Sequence, residues 1–337
     1  MLFFPKLEAQ TQQRWWCENN QNRGDISMRG IGITESGGPD VFGICELPEV
    51  HAGPQEVRIR VRAVSVNPVD TMMRVSKQFD TDEPTPFIVG MDLAGNIDEV
   101  GPNTETNFRV GDAVIAMVLP REGMGAYRES IVLPVDSVSP VPKNVSIVEA
   151  STLSMNGLTA RQSLDQLDLS KGQTIGVTGA AGCYGGYVVQ LAKSEGLRVI
   201  ADASPKDEDL VRELGADIVV PRGDDIAQQM RKVVPEGVDG LADGSVQNHL
   251  SVGAVRDGGS FVSVRYWEGT AEREIEFHQT SVSDYFHRAE LLDQLSRQVE
   301  DGILTLRVAE TFPAEAAAEA HKKLEAGGTR GRCVIVF

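Results

Sequence analysis

Hydrophobic and polar positions alternate along EVRIRVRAVSV (56–66) and place Val57, Ile59, Val61 and Ala63 on one face of a strand. The alternation stops at Ser65, just before the turn VNP. GNIDEVG, GDAVIAMV and YRESIVLP follow at close spacing, punctuated by prolines and glycines. Residues 28–149 therefore predict a compact, barrel-like β unit. From 150 to 299 the rhythm becomes strand, helix, strand, helix. TIGVTG (174–179) is a buried strand that runs into a glycine turn and the helical GYVVQLAKSEG, which ends at Gly196. LRVIADA (197–203) is the next strand. Ser204 then stands as an N-cap, with Pro205 at the first helical position and acids behind it. DIVV, DDIAQQMRKVV, VDGLAD and SFVSV continue the alternation. The fold class is α/β, with a doubly wound parallel sheet over 150–299. Residues 300–337 return to strand character in GILTLRVAETF and GRCVIVF, around the helical AEAAAEAHKKLEAGG. This tail is expected to fold back onto the first unit.

Residues 1–27 stand apart. MLFFP is apolar, and the rest is polar and rich in Gln and Asn. The apolar stretch is too short for a signal sequence and no small-residue cleavage site follows it. The segment predicts a disordered extension, or a stretch outside the translated chain if Met28 is the start. The pair Trp15–Trp16 could anchor a partner. No apolar run reaches the ~18 residues a membrane span needs, and a cytoplasmic protein is expected. The net charge of −17 repels phosphate backbones and argues against a nucleic-acid partner. The 4 cysteines and 5 histidines show no C-x-x-C, H-E-x-x-H or other ligand spacing, so neither a disulfide framework nor a metal site is expected.

The chemistry concentrates in TGAAGCYGG (178–186). A strand enters at Thr178, and glycines at 179, 182 and 185 allow a tight turn and a close approach of phosphate. The helix that starts there directs its free N–H groups at the anion. An ordinary strand–turn–helix with small packing residues is the bland alternative. T-G-x-x-G-x-x-G also occurs in short-chain dehydrogenases, but there it opens the chain. That family also needs Y-x-x-x-K, and Tyr127, Tyr184, Tyr187, Tyr266 and Tyr285 have no lysine four residues on. The end of the second strand selects the nucleotide. The position that holds an acid in NAD sites falls at Ala203, and Asp202, one residue earlier, is expected to face away. Ser204 and Lys206 follow as candidate ligands of a 2′-phosphate, which favours NADPH over NADH. A solvated Lys206 is the alternative.

With both halves in view, the chain resembles the medium-chain dehydrogenase/reductase superfamily over residues 28–337, and within it the zinc-independent quinone oxidoreductases related to zeta-crystallin. AVSVNPVDTMMR (63–74) is similar to that branch's V-N-P-x-D segment. VGMDLAGNIDEVG with FRVGDAVIA (89–116) is similar to its G-x-D-x-x-G…G-D-x-V pattern. NGLTARQSL (156–164) matches G-x-T-A-x-x-x-L, and GAAGCYG (179–185) matches its G-A-x-G-x-x-G turn. The resemblance implies a GroES-like catalytic domain (28–149, completed by 300–337) and a Rossmann domain (150–299). It implies Thr159 at the nicotinamide, and Ala180, Ala181, Gly182, Cys183, Tyr184 and Gly185 at the pyrophosphate. It places Asn67 in the cleft, against a reading as a turn residue before Pro68. Tyr127 is a candidate proton donor, against a packing role. Zinc-dependent relatives carry cysteine at Asn67 and His–Glu at Met91–Asp92, so no zinc is implied. The implied reaction is hydride transfer from NADPH to a quinone or an α,β-unsaturated carbonyl. A non-catalytic NADPH-binding sensor, and an alcohol dehydrogenase with an atypical metal site, are the rivals. Zinc-free relatives are commonly dimers, and the sheet edge near 259–264 is the candidate homodimer interface. Three residues depart from the branch: Met72 replaces a cleft tyrosine, Tyr184 replaces the usual valine, and Glu208 stands where relatives often place a lysine.

Overall fold

The computed structural model describes residues 27–76, 86–120, 124–269 and 272–337. The extension expected at 1–27, with Trp15–Trp16, lies outside them except for Ser27. The chain opens with β1 (Ser27–Ile33), β2 (Gly43–Pro48) and β3 (Glu56–Ser65), then helix α1 (Pro68–Val75). The strands β4 (Phe87–Ile88), β5 (Asp92–Val100), β6 (Ala113–Met117), β7 (Ser130–Pro134) and β8 (Val138–Pro140) follow, then α2 (Ile147–Ala150) and α3 (Ser154–Leu167). The strand–helix half runs β9 (Thr174–Thr178), α4 (Cys183–Ser194), β10 (Arg198–Ala203), α5 (Glu208–Glu213), β11 (Ile218–Pro221) and α6 (Ile226–Val233). It continues with β12 (Val238–Asp243), β13 (Val255–Ser263), β14 (Glu276–Gln279) and α7 (Ala289–Glu300), and the chain closes with β15 (Val308–Pro313), α8 (Ala317–Glu325) and β16 (Arg332–Val336).

The period-2 pattern of β3 dictates its place. Val57, Ile59, Val61 and Ala63 are all buried, the valine and isoleucine side chains each contributing up to about 1.5–3 kcal/mol. β3 lies inside the sheet ordered β15-β16-β3-β5-β6-β8, and β7 also pairs with it. Val61→Asp would set an unpaired charge among these side chains and break the lobe. The tail returns here: β16 runs antiparallel to β3, with Val334 opposite Ser65. A smaller sheet, β2-β1-β4, closes the same core.

The second sheet has the order β11-β10-β9-β12-β13-β14, and each neighbouring pair is parallel. Counted from β9, this is the 3-2-1-4-5-6 order of dinucleotide-binding folds. The direction of winding reverses between β9 and β12, and a crevice opens outside their carboxyl ends. Thr178 and Asp243 sit at those ends. The edge expected near 259–264 is corrected: β13 is interior, covered by β14 through the register Ser260–Glu276 to Ser263–Gln279. β14 is a four-residue strand with mixed exposure, too short to announce itself by alternation.

Candidate functional site

The tops of β9 and β12 are bolted together. Thr178 Oγ1 donates to Asp243 Oδ1 at 2.5 Å, and Asp243 Oδ2 accepts the Asn248 N–H at 2.6 Å. The glycine turn sits on this base. Gly182 is the N-cap of α4, and its N–H bonds the Gly179 carbonyl at 2.9 Å. A Cβ at Gly185 would stand 2.4 Å from the Gly179 oxygen, so only glycine lets the helix approach the turn this closely. The first-turn N–H groups of α4, at Cys183, Tyr184 and Gly185, belong to the set that a helix cannot satisfy internally. With the helix dipole they form an anion cradle. Ala180 and Ala181 are buried beneath it. Asp202, expected to face away from the nucleotide, does not line the cleft; it lies buried under the turn and accepts the Ala180 N–H at 3.1 Å.

The cradle opens into a cleft of about 660 Å³ between the lobes. Gly182, Cys183, Tyr184 and Gly185 line it on one side and Thr159 on another. The lining also has an apolar set, Pro68, Val69, Met72, Met73, Met91 and Met155. Thioether side chains are unbranched and polarisable, and fit acceptors of varied shape. Thr159 is held in place as its hydroxyl donates to the Met155 carbonyl at 2.6 Å. Met72 is 47% exposed at the cleft, so the expected apolar replacement of a cleft tyrosine does face this space. Tyr184 Oη donates to Ser163 Oγ at 2.8 Å, and burial raises its pKa. Its phenol therefore stays neutral and directed away from acid–base work.

Two sequence candidates move out of the site. Tyr127 is fully buried, and its hydroxyl lies 3.1 Å from His321 Nε2. Its ring packs edge-on against His321, so the packing alternative describes it. Asn67 is also fully buried and does not line the cleft. It stands one layer behind, where Nδ2 donates to Asp92 Oδ2 at 2.7 Å and Oδ1 accepts from Asn156 Nδ2 at 2.9 Å. Its backbone N–H also bonds Asp70 Oδ2 at 2.8 Å, which caps α1. Asp92 in turn accepts from Ser65 and from the Met155 N–H. Both groups at the would-be metal positions are thus committed to each other. Among the described residues no group of three or more His, Cys, Asp or Glu could hold a metal ion.

The chain of bonds continues outward. Asn156 Oδ1 accepts from Arg332, and both residues line the cleft. Neither was singled out from the sequence, although NGLTARQSL and GRCVIVF contain them. Arg307 was also missed. Its guanidinium donates to the carbonyls of Ala181 at 3.0 Å and Gly182 at 2.7 Å, from the segment before β15. Ser204 and Lys206 stand just past the end of β10. Lys206 is exposed, while the Ser204 hydroxyl donates to Asp207.

Residues 53–143 match the alcohol dehydrogenase GroES-like domain family, and residues 214–335 match the zinc-binding dehydrogenase family. A 2-haloacrylate reductase of Burkholderia sp is 30% identical, over 90% of this chain and 97% of its own. The chain belongs to the medium-chain dehydrogenase/reductase superfamily. Within the superfamily it stands in the quinone-oxidoreductase-like branch of oxidoreductases. An NADPH-dependent alkenal/one oxidoreductase of the Arabidopsis thaliana chloroplast is 29% identical, over 98% of this chain and 86% of its own. A solved NAD-dependent alcohol dehydrogenase superposes with a TM-score of 0.81 at 29% identity, over 92% of this chain and 100% of that one.

Proposed function

We propose that this protein is a zinc-independent, NADPH-dependent reductase of quinones or α,β-unsaturated carbonyls. The observation that carries the reading is the junction of an anion cradle with an apolar, methionine-lined cleft at the switch point of a parallel sheet. The residues present fit the dinucleotide, because the close approach of helix to turn that aims these N–H groups depends on the missing side chain at Gly185. Bound there, NADPH supplies a hydride to an electron-poor carbon or a quinone ring. The N–H groups of Cys183 to Gly185 bind the pyrophosphate, and Thr159 orients the nicotinamide. Ser204 and Lys206 favour the 2′-phosphate. Met72, Met73, Met91 and Met155 hold the acceptor and exclude water, so rate comes from positioning in a dry cleft. With Tyr127 and Asn67 buried behind the wall, the proton comes from solvent at the cleft mouth or from a weak acid, and Tyr266 is a phenol in the lining. Zinc independence is supported by the donor set: Asn67 offers an amide where a thiolate is needed, and Asp92 is spent on Ser65, Asn67 and Met155. Relatives named alkenal/one, haloacrylate and quinone reductases support the acceptor class. No helix among the described residues is long and apolar enough to cross a membrane. The proposal keeps the cytoplasmic setting and the homodimer expected from the sequence.

A turnover screen tests it. Purified protein is mixed with NADPH or NADH and a panel of quinones, enones and alcohols. Oxidation of NADPH with enones or quinones is the expected result. Binding of NADPH with no oxidation by any acceptor would sink the enzyme reading in favour of a sensor. Stoichiometric zinc with alcohol oxidation would favour the metal-dependent rival.

A further inference from the structure

The loop after β10 contains an anion seat that the chain fills by itself. Arg330 Nε donates to Asp207 Oδ1 at 2.5 Å, and Arg330 Nη2 donates to Asp207 Oδ2 at 2.6 Å. The Ser204 hydroxyl donates to the same Oδ2. The Asp207 side chain is 8% exposed and that of Arg330 is 30% exposed. Hydrogen bonds from Arg330, then from Ser204, hold the Asp207 carboxyl down at about 2, and the charge of Lys206 acts in the same sense. Asp207 is therefore ionised at any working pH. Arg330 comes from the other lobe, two residues before β16.

The place of this clasp gives it a meaning. In a dinucleotide fold the residues just past the second strand read the 2′ position of the adenosine ribose. Ser204 is the first residue after β10. A 2′-phosphate and a carboxylate offer a guanidinium fork the same feature, a pair of anionic oxygens. The fork of Arg330 and the hydroxyl of Ser204 cannot serve both at once. Two anions brought to one seat also repel each other.

We propose that Asp207 is a cofactor-specificity residue: its carboxylate occupies the Ser204–Arg330 seat, competes with the 2′-phosphate of NADPH, and so narrows the preference for NADPH over NADH. The inference rests on the dinucleotide reading of the site.

The experiment compares wild type with Asp207→Ser and Asp207→Asn. Affinities for 2′,5′-ADP and 5′-ADP are measured by calorimetry, and kcat and KM for both reduced cofactors with the best acceptor. The ratio of 2′,5′-ADP to 5′-ADP affinity is expected to rise tenfold or more in Asp207→Ser, and less in the isosteric Asp207→Asn. The NADPH to NADH ratio of kcat/KM should rise in step, through KM and not kcat. Adding Arg330→Ala to Asp207→Ser should erase the gain. Equal changes for the two nucleotides, or a fall in either ratio, would mean that the clasp merely joins the lobes, and would overturn the proposal. Should Asp207→Ser fail to fold, Asp207→Asn decides alone. A wild type that binds neither nucleotide would overturn the dinucleotide reading itself, and the inference with it.

Discussion

Tyr184 shows how one residue can shape the cleft without taking part in proton transfer. Its ring lines the cleft within the phosphate turn, and its hydroxyl is pinned to Ser163, whose own hydroxyl donates to the Thr159 carbonyl at 2.9 Å. The ring has room because position 244 has no side chain. A Cβ there would lie 2.8 Å from Tyr184 Cδ1. Tyr184 and Gly244 therefore form a matched pair, the second explaining how the turn tolerates the first. Tyr184→Val should widen the cleft beside Thr159. Activity with bulky acceptors is expected to rise relative to small ones, several-fold in kcat/KM, while the melting temperature falls. Tyr184→Phe keeps the ring and loses one buried hydrogen bond, so only stability should drop, by about 1 kcal/mol. Gly244→Ala should push the ring into the cradle and weaken NADPH binding tenfold or more. Titration of the cofactor's fluorescence would reveal this, and unchanged binding would contradict the pairing. From the sequence Tyr184 was legible only as an oddity, because its complement lies far along the chain.

At the level of elements, the cofactor turn is steadied from outside its own sheet. Arg307 holds the carbonyls of Ala181 and Gly182. A trans peptide points its N–H opposite to its C=O, so fixing the Gly182 carbonyl aims the Cys183 N–H the other way. The backbone carbonyl of Arg307 also accepts the Arg332 N–H at 2.9 Å. One residue thus sets both the turn and the start of β16, whose Arg332 faces the cleft. Hydrogen bonds to a charged donor are worth about 1.5–3 kcal/mol each. Arg307→Met is expected to raise the dissociation constant for NADPH at least tenfold with kcat at saturation little changed. Arg307→Lys, a point charge without the fork, should recover part of the loss. An unchanged constant in Arg307→Met would show the contact to be incidental. Strand and helix periodicities reveal elements, but not which long side chain from one element reaches the turn of another. The same limit explains Tyr127 and Asn67, which belong to segments near the cleft but are buried behind its wall.

For the molecule as a whole, the architecture was legible where a core demands period: β3, with one face buried, and the runs of β9, β10 and β12, buried on both faces. It was not legible at β14, whose four residues carry no alternation and yet cover β13. The sequence also says nothing of depth, and depth decides how stability follows pH. Asp70 on α1 and His321 on α8 are both buried near Tyr127. Burial lifts the Asp70 carboxyl to about 7. Burial, with help from Arg74, lowers the His321 imidazole to about 3. Unfolded chains titrate these groups near ~3.9 and ~6.5. Between about pH 4 and 6.5 the folded state then holds one extra proton on Asp70 and lacks one on His321. The first makes stability fall as pH rises, and the second makes it rise, each by about 1.4 kcal/mol per pH unit. The two slopes offset each other. Asp70→Asn should uncover the histidine, so that stability drops relative to wild type as pH falls from 6.5 toward 4. His321→Gln should uncover the aspartate, so that stability drops as pH rises over the same window and on to 7. Asp92, also raised by burial, keeps its neighbours in His321→Gln, whereas Asp70→Asn also removes the charge that Asp70 sets beside it, so His321→Gln gives the cleaner slope. Urea unfolding at a series of pH values measures the slopes, and variants that run parallel to wild type would show that neither group titrates as its burial dictates.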